Sequence, residues 1–233
     1  MVVIETATAT DIGHRETNQD RVLAITGDTT DMPCGLFCVA DGMGGLQDGE
    51  CAATQAVELL ENWWNSTYKE TTPTGAEVLD SFFTLFKSVN DAIKHNTEEA
   101  KSGTTCSLLL IQGRDYYIAH AGDSRIYHIE NRIFAPFAMP VQLTEDHSHN
   151  GRLTSCLGAF NKPKIFTHTG TISKPCTFVL CSDGMYRTVP DKQLIGLTRR
   201  LRNCGELVNN LVTTALKQGT QDNVSVVVVK VGG

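Results

Sequence analysis

Five aspartates stand at the ends of apolar runs that have the length and composition of β-strands. Asp41 follows GLFCVA, Asp183 follows FVLCS, and Asp123 lies in AGDSR, the turn between two such runs. Asp20 directly precedes RVLAI, and Asp222 directly precedes NVSVVVV. In an antiparallel sheet the end of one strand lies beside the start of its neighbour. The pattern therefore predicts that the five carboxylates share one rim of the sheet system.

Five carboxylates on one rim would repel each other, and burial would raise their pKa values further. Hard divalent cations relieve this repulsion, because Mg²⁺ and Mn²⁺ prefer oxygen ligands. Gly42, Gly44 and Gly45 would let the backbone approach such an ion or adopt a positive φ, and the Gly42 carbonyl is a further oxygen ligand. An Asp-Gly pair alone is usually only a turn, so the prediction depends on all five aspartates together.

The composition excludes some classes of protein. The chain has 233 residues, of which 41% are hydrophobic, so it can form a sizeable core. The formal net charge of −6 argues against binding to nucleic acid or to an anionic membrane surface. No segment approaches the ~18 apolar residues of a membrane span, and the N-terminus does not resemble a secretion signal. Eight cysteines without a CxxC pair predict reduced, buried thiols in a cytoplasmic protein.

Hydrophobic periodicity predicts blocks of strands that alternate with pairs of helices. The predicted strands are 2–9, 21–27, 34–40, 104–112, 115–121, 125–130, 132–137, 176–182 and 223–231, and the predicted helices are 49–64, 76–96, 190–201 and 205–218. The turn TTPTG separates the first two helices. Short turns favour antiparallel pairing, so we predict one α+β domain over residues 1–233 with helices on the sheet faces.

Seven motifs, taken in order, carry a resemblance to a known family. They are RETNQD (15–20), VADGMGG (39–45), SGTT (102–105), GDSR (122–125), LTEDHS (143–148), LCSDGM (180–185) and QDNVSVVVV (221–229). The chain resembles the metal-dependent serine/threonine protein phosphatases of type 2C, in their compact bacterial form. This resemblance covers nearly the whole chain and implies a four-layer sandwich of two antiparallel β-sheets flanked by pairs of α-helices.

The resemblance also implies the ligands of a metal centre. Asp41 would bridge two metal ions, and the carbonyl of Gly42 would be a ligand beside it. Asp183 and Asp222 would each hold one of the two ions. Asp20 would bind nearby through water. The ions implied are Mn²⁺ or Mg²⁺, which the sequence does not distinguish because both prefer oxygen ligands.

Two further residues receive roles from the resemblance. Asp123 would take part in a third, weaker metal site, and Arg15 would bind the substrate phosphate through the two parallel hydrogen bonds of its planar guanidinium. Two ions about 4 Å apart can share a water, lower its pKa and direct it in line at phosphorus. We therefore predict hydrolysis of phosphoserine and phosphothreonine in proteins, with phosphoproteins and a cognate kinase as partners and a monomeric enzyme.

The chain departs from the family pattern at three places. The spacing from Gly13 to Arg15 is shorter than in many members, but the spacing from Arg15 to Asp20 is kept, so the role of Arg15 still stands. Met43 stands where animal and plant members commonly carry a histidine that is proposed as general acid, and a thioether cannot donate a proton. A metal-bound water is the remaining candidate for the proton source. The mobile flap of the family is reduced to HNGR (149–152), and we expect an open cleft with weak intrinsic selectivity.

Three alternative interpretations remain open from the sequence. CSDGMYRT contains Cys181 and Arg187 in the C-x-x-G-x-x-R pattern of cysteine-dependent phosphatases. Asp183 inside such a loop would repel phosphate and raise the thiol pKa, so we interpret Cys181 as part of a buried strand. A non-enzymatic binding module of the same fold is a second alternative, although every metal-binding aspartate is present. HSH (147–149) could suggest zinc, but a pair of histidines two apart in a polar loop is more often solvated, and the resemblance implies a structural role for His147.

Overall fold

The computed structural model describes residues 2–29, 32–44, 48–96, 102–130 and 139–232, so the predicted strand at 132–137 lies outside the described residues. The strands are β1 (Val3–Asp11), β2 (Asp20–Thr29), β3 (Met32–Met43), β4 (Gly103–Thr104), β5 (Cys106–Gln112), β6 (Asp115–Ala121), β7 (Arg125–Glu130), β8 (Val141–Gln142), β9 (Ser148–His149), β10 (Arg152–Leu153), β11 (Phe166–Thr171), β12 (Cys176–Cys181) and β13 (Val224–Gly232).

The helices lie between the strand blocks, as the periodicity predicts. They are α1 (Asp48–Trp63), α2 (Lys69–Thr71), α3 (Ala76–Asn96), α4 (Asp183–Tyr186), α5 (Asp191–Arg200) and α6 (Cys204–Lys217). A π-helical turn, Trp64–Tyr68, continues α1 into α2, and the left-handed Thr72 (φ 44°) ends this run. Among the described helices, none is long and apolar enough to cross a lipid bilayer.

Two antiparallel sheets pack face to face at the centre of the protein. One has the strand order β1-β13-β12-β7-β8 and the other β11-β6-β5-β3-β2, with β4 paired to the end of β3. The layer between the sheets is apolar and buried. It is formed by side chains such as Phe37 and Leu109 from one sheet and Phe178, Leu180 and Val227 from the other.

Helices cover the outer face of each sheet. The apolar side chains of α1 and α3, such as Leu60 and Phe86, pack on the sheet that contains β3. Those of α5 and α6, such as Leu194 and Leu211, pack on the sheet that contains β13. The layers therefore run helix, sheet, sheet, helix, and the predicted four-layer α+β sandwich is confirmed.

This layering explains why the central strands appear in the sequence as continuous apolar runs. Val226 and Val228 of β13 face the helix layer, while Val227 and Val229 face the opposite sheet. Successive side chains of a strand point to opposite faces, and here both faces are buried. Strand β11 was not predicted, because its sequence FTHTGT alternates between half-buried and exposed positions at the edge of its sheet and contains few apolar residues.

The packing between the sheets predicts a strong dependence of stability on Phe178. Its side chain is fully buried between the two sheets, so Phe178→Ala should lower the free energy of unfolding by about 3–5 kcal/mol. The matched control is Phe83→Ala on α3, because Phe83 is 57% exposed and its loss should change stability by only about 0.5 kcal/mol. Urea unfolding followed by circular dichroism measures both. Equal losses in the two variants would contradict the assigned layers.

Candidate metal centre

One cleft at the rim of the two sheets collects six of the seven predicted site residues. The predicted residues that line it are Arg15, Asp41, Gly42, Asp123, Asp183 and Asp222. The seventh, Asp20, lies beneath the cleft with only 1% of its surface exposed. The structure therefore brings the five aspartates of the sequence pattern together at one place.

The two sheets contribute different members of this cluster. Asp20 and Asp41 lie directly opposite each other in the register of β2 and β3, within one sheet. Asp183 begins α4 immediately after β12, and Asp222 precedes β13, so both belong to the rim of the other sheet. Asp123 follows the end of β6. The face-to-face packing of the sheets thus brings together carboxylates that are far apart in the sequence.

The prediction that the strand ends before Asp41 is wrong. β3 continues to Met43, because it changes its partner: the pairing with β5 ends at Val39, and β4 then pairs with Gly42 and Met43. At the change of partner, Thr105 fixes Asp41 through two hydrogen bonds. The Thr105 hydroxyl accepts from the Asp41 amide at 2.9 Å, and the Thr105 amide donates to the Asp41 carbonyl at 2.9 Å. Asp41 therefore stands on a rigid strand rather than on a turn.

Close backbone packing requires glycine at position 42. A Cβ atom there would lie 2.1 Å from the carbonyl oxygen of Gly49 and 2.7 Å from that of Gln19. The first turn of α1 therefore packs directly on the backbone of β3, and no side chain fits between them. Gly44 has a positive φ of 147°, as predicted for this stretch. Gly45 lies outside the described residues.

Burial and mutual repulsion shift the pKa values of Asp20, Asp41, Asp123 and Asp183 upward. Burial, opposed by hydrogen bonds from serine hydroxyls, raises the pKa of Asp20 to about 7, and burial with the charges of Asp20 and Asp183 raises the pKa of Asp41 well above its usual value. Burial and the nearby Asp183 raise the pKa of Asp123 to about 6. Burial also raises the pKa of Asp183. Without a cation, part of the cluster therefore stays protonated near neutral pH.

Two buried oxygens of the cluster fit the ligand chemistry of a hard cation. Asp20 Oδ2 accepts a hydrogen bond from the Ser182 hydroxyl at 2.8 Å. Among the described residues, Asp20 Oδ1 and Asp183 Oδ1 are buried and have no hydrogen-bond partner. A buried carboxylate oxygen without a partner is costly, and coordination of Mg²⁺ or Mn²⁺ would remove that cost. The donor set therefore fits the predicted ions.

Arginines supply the positive charge that the cluster has in this structure. Arg15 donates two hydrogen bonds to Asp222, from Nε at 2.9 Å and from Nη2 at 2.7 Å. Arg187 Nη2 lies 2.9 Å from Asp183 Oδ2 and 3.6 Å from Asp123 Oδ2. Within the described part of the chain, no three acidic, histidine or cysteine side chains converge into a closed metal shell. The arginines hold the carboxylates in orientations that an ion would have to change.

Several residues of the site were not assigned a site role from the sequence. Arg187 was considered only as part of a cysteine-phosphatase pattern, although its spacing of four residues from Asp183 is the signal that places both on one helical face. Thr105 and Ser182 belong to the recognised motifs, but their contacts with the aspartates depend on tertiary structure. His14 also lines the cleft, and its Nδ1 lies 2.8 Å from the Thr220 carbonyl oxygen.

The shortened flap forms a tight hairpin at the mouth of the cleft. β9 and β10 pair through Ser148, His149, Arg152 and Leu153, and the connecting Asn150 and Gly151 have φ values of 50° and 73°. Positive φ at both central residues, with the sequence Asn-Gly, is typical of a type I′ turn. Gly151, Arg152 and Leu153 line the cleft. The hairpin thus borders the site, and the expected weak selectivity stays a prediction.

The structure bears on the residues of two alternative interpretations. Cys181 is fully buried in β12, and burial raises the pKa of its thiol, so it is a strand residue and not a thiolate nucleophile. His147 is buried and structural: its amide donates to the Gly122 carbonyl at 2.7 Å, and its Nδ1 accepts from the Gly122 amide at 3.3 Å. The prediction of buried thiols holds for seven cysteines and is wrong for Cys51, which is exposed on α1.

Comparisons with known proteins agree with this geometry. Residues 13–152 and 158–224 match the family model described as Protein phosphatase 2C. The serine/threonine phosphatase stp of Listeria monocytogenes is 29% identical over 222 residues, which cover 84% of each chain. The serine/threonine protein phosphatase PstP of Mycobacterium tuberculosis is 26% identical over 214 residues, which cover 84% of this chain and 40% of PstP.

Solved structures extend the likeness to the fold. The catalytic domain of PstP in complex with two manganese ions superposes with a TM-score of 0.83 at 25% identity, over the whole of both chains. A bacterial serine phosphatase superposes with a TM-score of 0.84 at 24% identity, over 99% of each chain. The chain belongs to the Protein phosphatase 2C family. The family predicted from the seven motifs is therefore confirmed, and so is the enzyme class, protein-serine/threonine phosphatase.

The raised pKa of Asp20 predicts how stability changes with pH in protein stripped of metal by a chelator. Between its ordinary pKa of 3.8 and the folded value of about 7, the folded state binds more protons than the unfolded state. The contribution of Asp20 to the free energy of unfolding therefore falls as pH rises through this window. From pH 5 to pH 8 it should fall by about 2–3 kcal/mol.

Asp20→Asn removes this contribution, together with the part of the raised Asp41 pKa that comes from the charge of Asp20. His120 and His147, whose pKa values are lowered by burial, contribute with the opposite sign but equally in both proteins. In urea unfolding, the stability of Asp20→Asn relative to the wild type should therefore increase from pH 5 to pH 8. A difference that is independent of pH would show that Asp20 is ionised in the metal-free fold. Added Mn²⁺ should stabilise the wild type more at pH 8 than at pH 5, because binding displaces protons.

Proposed function

We propose that this chain hydrolyses phosphoserine and phosphothreonine in proteins at the cleft where its two sheets meet. The observation that carries the proposal is the convergence of five aspartates from both sheets, with an arginine at the exposed edge. Two buried oxygens of these aspartates have no hydrogen-bond partner among the described residues. The relatives named serine/threonine phosphatase stp and PstP support the substrate class. Phosphorylated serine and threonine side chains of proteins are then the substrates.

We propose that two divalent ions bind between the sheets. Asp41 would contact both ions, the Gly42 carbonyl would be a ligand beside it, and Asp183 and Asp222 would each hold one ion. Asp20, beneath the cleft, would act through water. The two manganese ions in the PstP catalytic domain support the predicted two-ion cofactor, Mn²⁺ or Mg²⁺. When bound, such a pair activates a shared water as nucleophile and offsets charge on the phosphoryl oxygens.

The residues of the chain prepare this chemistry by fixing the ligands in advance. Thr105 holds the backbone of Asp41 from both sides, and Ser182 orients Asp20 through its hydroxyl. Asp41 and Asp20 lie on neighbouring strands at the same register position, so their backbones stay side by side. Ligands on a fixed backbone need less reorganisation when charge develops on the phosphoryl group, whereas the carboxylates of Asp183 and Asp222 must first leave their arginines.

Arg15 couples cation binding to substrate binding. Its side chain is 57% exposed at the edge of the cleft, and two N–H groups of its planar guanidinium donate hydrogen bonds to Asp222. A cation bound to Asp222 would compete with this pair and release the guanidinium. The same two parallel donors then fit two oxygens of a phosphate group. Arg15 therefore binds phosphate strongly only after the carboxylate cluster has been neutralised.

The remaining expectations stay proposals. We propose one catalytic domain over residues 1–233, a monomeric enzyme, a cytoplasmic location and a cognate kinase as functional partner. The proton donor for the leaving hydroxyl is not Met43, whose sulfur lies 3.5 Å from the thiol sulfur of Cys156 at the side of the cleft. Neither a thioether nor a buried thiol with a pKa raised to about 11 suits that role.

Turnover of phosphothreonine peptides with and without Mn²⁺ tests the proposal. Wild-type protein should hydrolyse them only with the metal, and Asp41→Asn should lose at least about 10³-fold in kcat, because the ligand expected to contact both ions is weakened. Asp115→Asn, an exposed aspartate that accepts a bond from Thr171, is the matched control and should keep full activity. Circular dichroism shows whether each variant is folded.

Cys181→Ser separates this mechanism from cysteine chemistry. The variant should retain metal-dependent turnover, and a chelator such as EDTA should abolish turnover in both proteins. Activity that survives the chelator, or that disappears in folded Cys181→Ser, would overturn the proposed function.

A further inference from the structure

Arg187 connects two carboxylates that come from different parts of the fold. It follows α4 directly, four residues after Asp183, and its amide donates to the Asp183 carbonyl at 3.0 Å. Its Nη2 lies 2.9 Å from Asp183 Oδ2 and 3.6 Å from Asp123 Oδ2. The side chains of Asp123 and Asp183 are only 8% and 11% exposed. A single guanidinium nitrogen thus lies within 3.6 Å of carboxylate oxygens from two nearly buried aspartates.

The residues before Arg187 pack against a fixed neighbour. Tyr186 directly precedes Arg187 at the end of α4, and the guanidinium of Arg125 stacks on the Tyr186 ring at 3.7 Å. Arg125 is itself fixed by bonds of 2.6–3.2 Å to Asp146. The turn that carries Arg187 is therefore supported by this network, while the Arg187 side chain itself is 51% exposed; Arg15 forms its ion pair with Asp222.

Charge balance distinguishes the two arginines further. Two divalent ions neutralise four of the five carboxylates in the cluster, and one guanidinium neutralises the fifth. If an ion binds Asp183, Arg187 can remain where it is and keep its ion pair with Asp123. If an ion takes Asp222, Arg15 loses the carboxylate to which it donates two hydrogen bonds and becomes available for phosphate. A third divalent ion beside Asp123 would instead lie next to the positive charge of Arg187.

We propose that Arg187 is the resident cation of Asp123, at the place where the family resemblance implies a third, weaker metal ion. The enzyme then works with two ions, and Arg187 is a positioning residue that holds Asp123 and Asp183 in place. This inference rests on the proposed function, because it presupposes the two-ion centre. The third ion implied by the sequence does not fit this chain.

Mn²⁺ stoichiometry, measured by equilibrium dialysis of the folded protein, tests the inference without reference to activity. The wild type should bind two ions. Arg187→Gln should bind a third, at least about tenfold more tightly than any further binding to the wild type, because Asp123 loses its cation. Adding Asp123→Asn to Arg187→Gln should remove the third ion again.

Arg152→Gln is the matched control. Arg152 lines the same cleft and forms no ion pair with a described residue, so this variant removes the same charge without freeing Asp123. It should bind two ions, as should Arg187→Lys, which keeps a cation near Asp123. Asp123→Asn alone should leave the stoichiometry and affinity of the two ions unchanged, and this measurement remains decisive even if Arg187→Gln does not fold.

Three ions in the wild type, two in folded Arg187→Gln, or a lost ion in Asp123→Asn would each overturn the inference. None of these results would remove metal-dependent turnover, so the proposed function would survive them. A wild type that binds no Mn²⁺ and hydrolyses no phosphopeptide would refute the proposed function, and the inference with it.

Discussion

The repulsion among five carboxylates at one rim is the constraint on which the rest of the structure depends. Each of the two sheets brings aspartates to this rim, and the burial of Asp20, Asp123 and Asp183 makes their ionisation costly unless a cation is present. The structure meets this need with two arginines, one on Asp222 and one on the Asp183–Asp123 pair. The proposed reaction depends on the same demand for positive charge. The carboxylates attract metal ions to a site that would otherwise hold protons.

The large apolar core of the sandwich offsets the cost of bringing these carboxylates together. The apolar layer between the sheets, which includes Phe178, fixes the distance between the strands that carry the acids. Backbone contacts then remove local freedom: Thr105 holds Asp41, and the close approach of Gly49 to Gly42 locks the first turn of α1 against β3. The same contacts therefore stabilise the fold and hold the site residues in place.

Much of this arrangement could be predicted from the sequence, because the aspartates follow or precede apolar runs and antiparallel pairing brings strand ends together. The partner change of β3 at Asp41 could not be predicted, since it depends on Thr104 and Thr105 arriving from a distant segment. Strand β11 lacks an apolar signal because it lies at a sheet edge. The link from Arg187 to Asp123 joins separate loops, and only the tertiary fold brings them together.

Anomalous scattering from crystals soaked in Mn²⁺ tests the central claim most directly. The account predicts two peaks at the rim, both within about 2.5 Å of Asp41 oxygens, with Asp183 and Asp222 on one ion each. It also predicts that Arg15 has left Asp222 and that Arg187 still contacts Asp123. No peak at the rim, with Arg15 still paired to Asp222 at saturating Mn²⁺, would contradict the account.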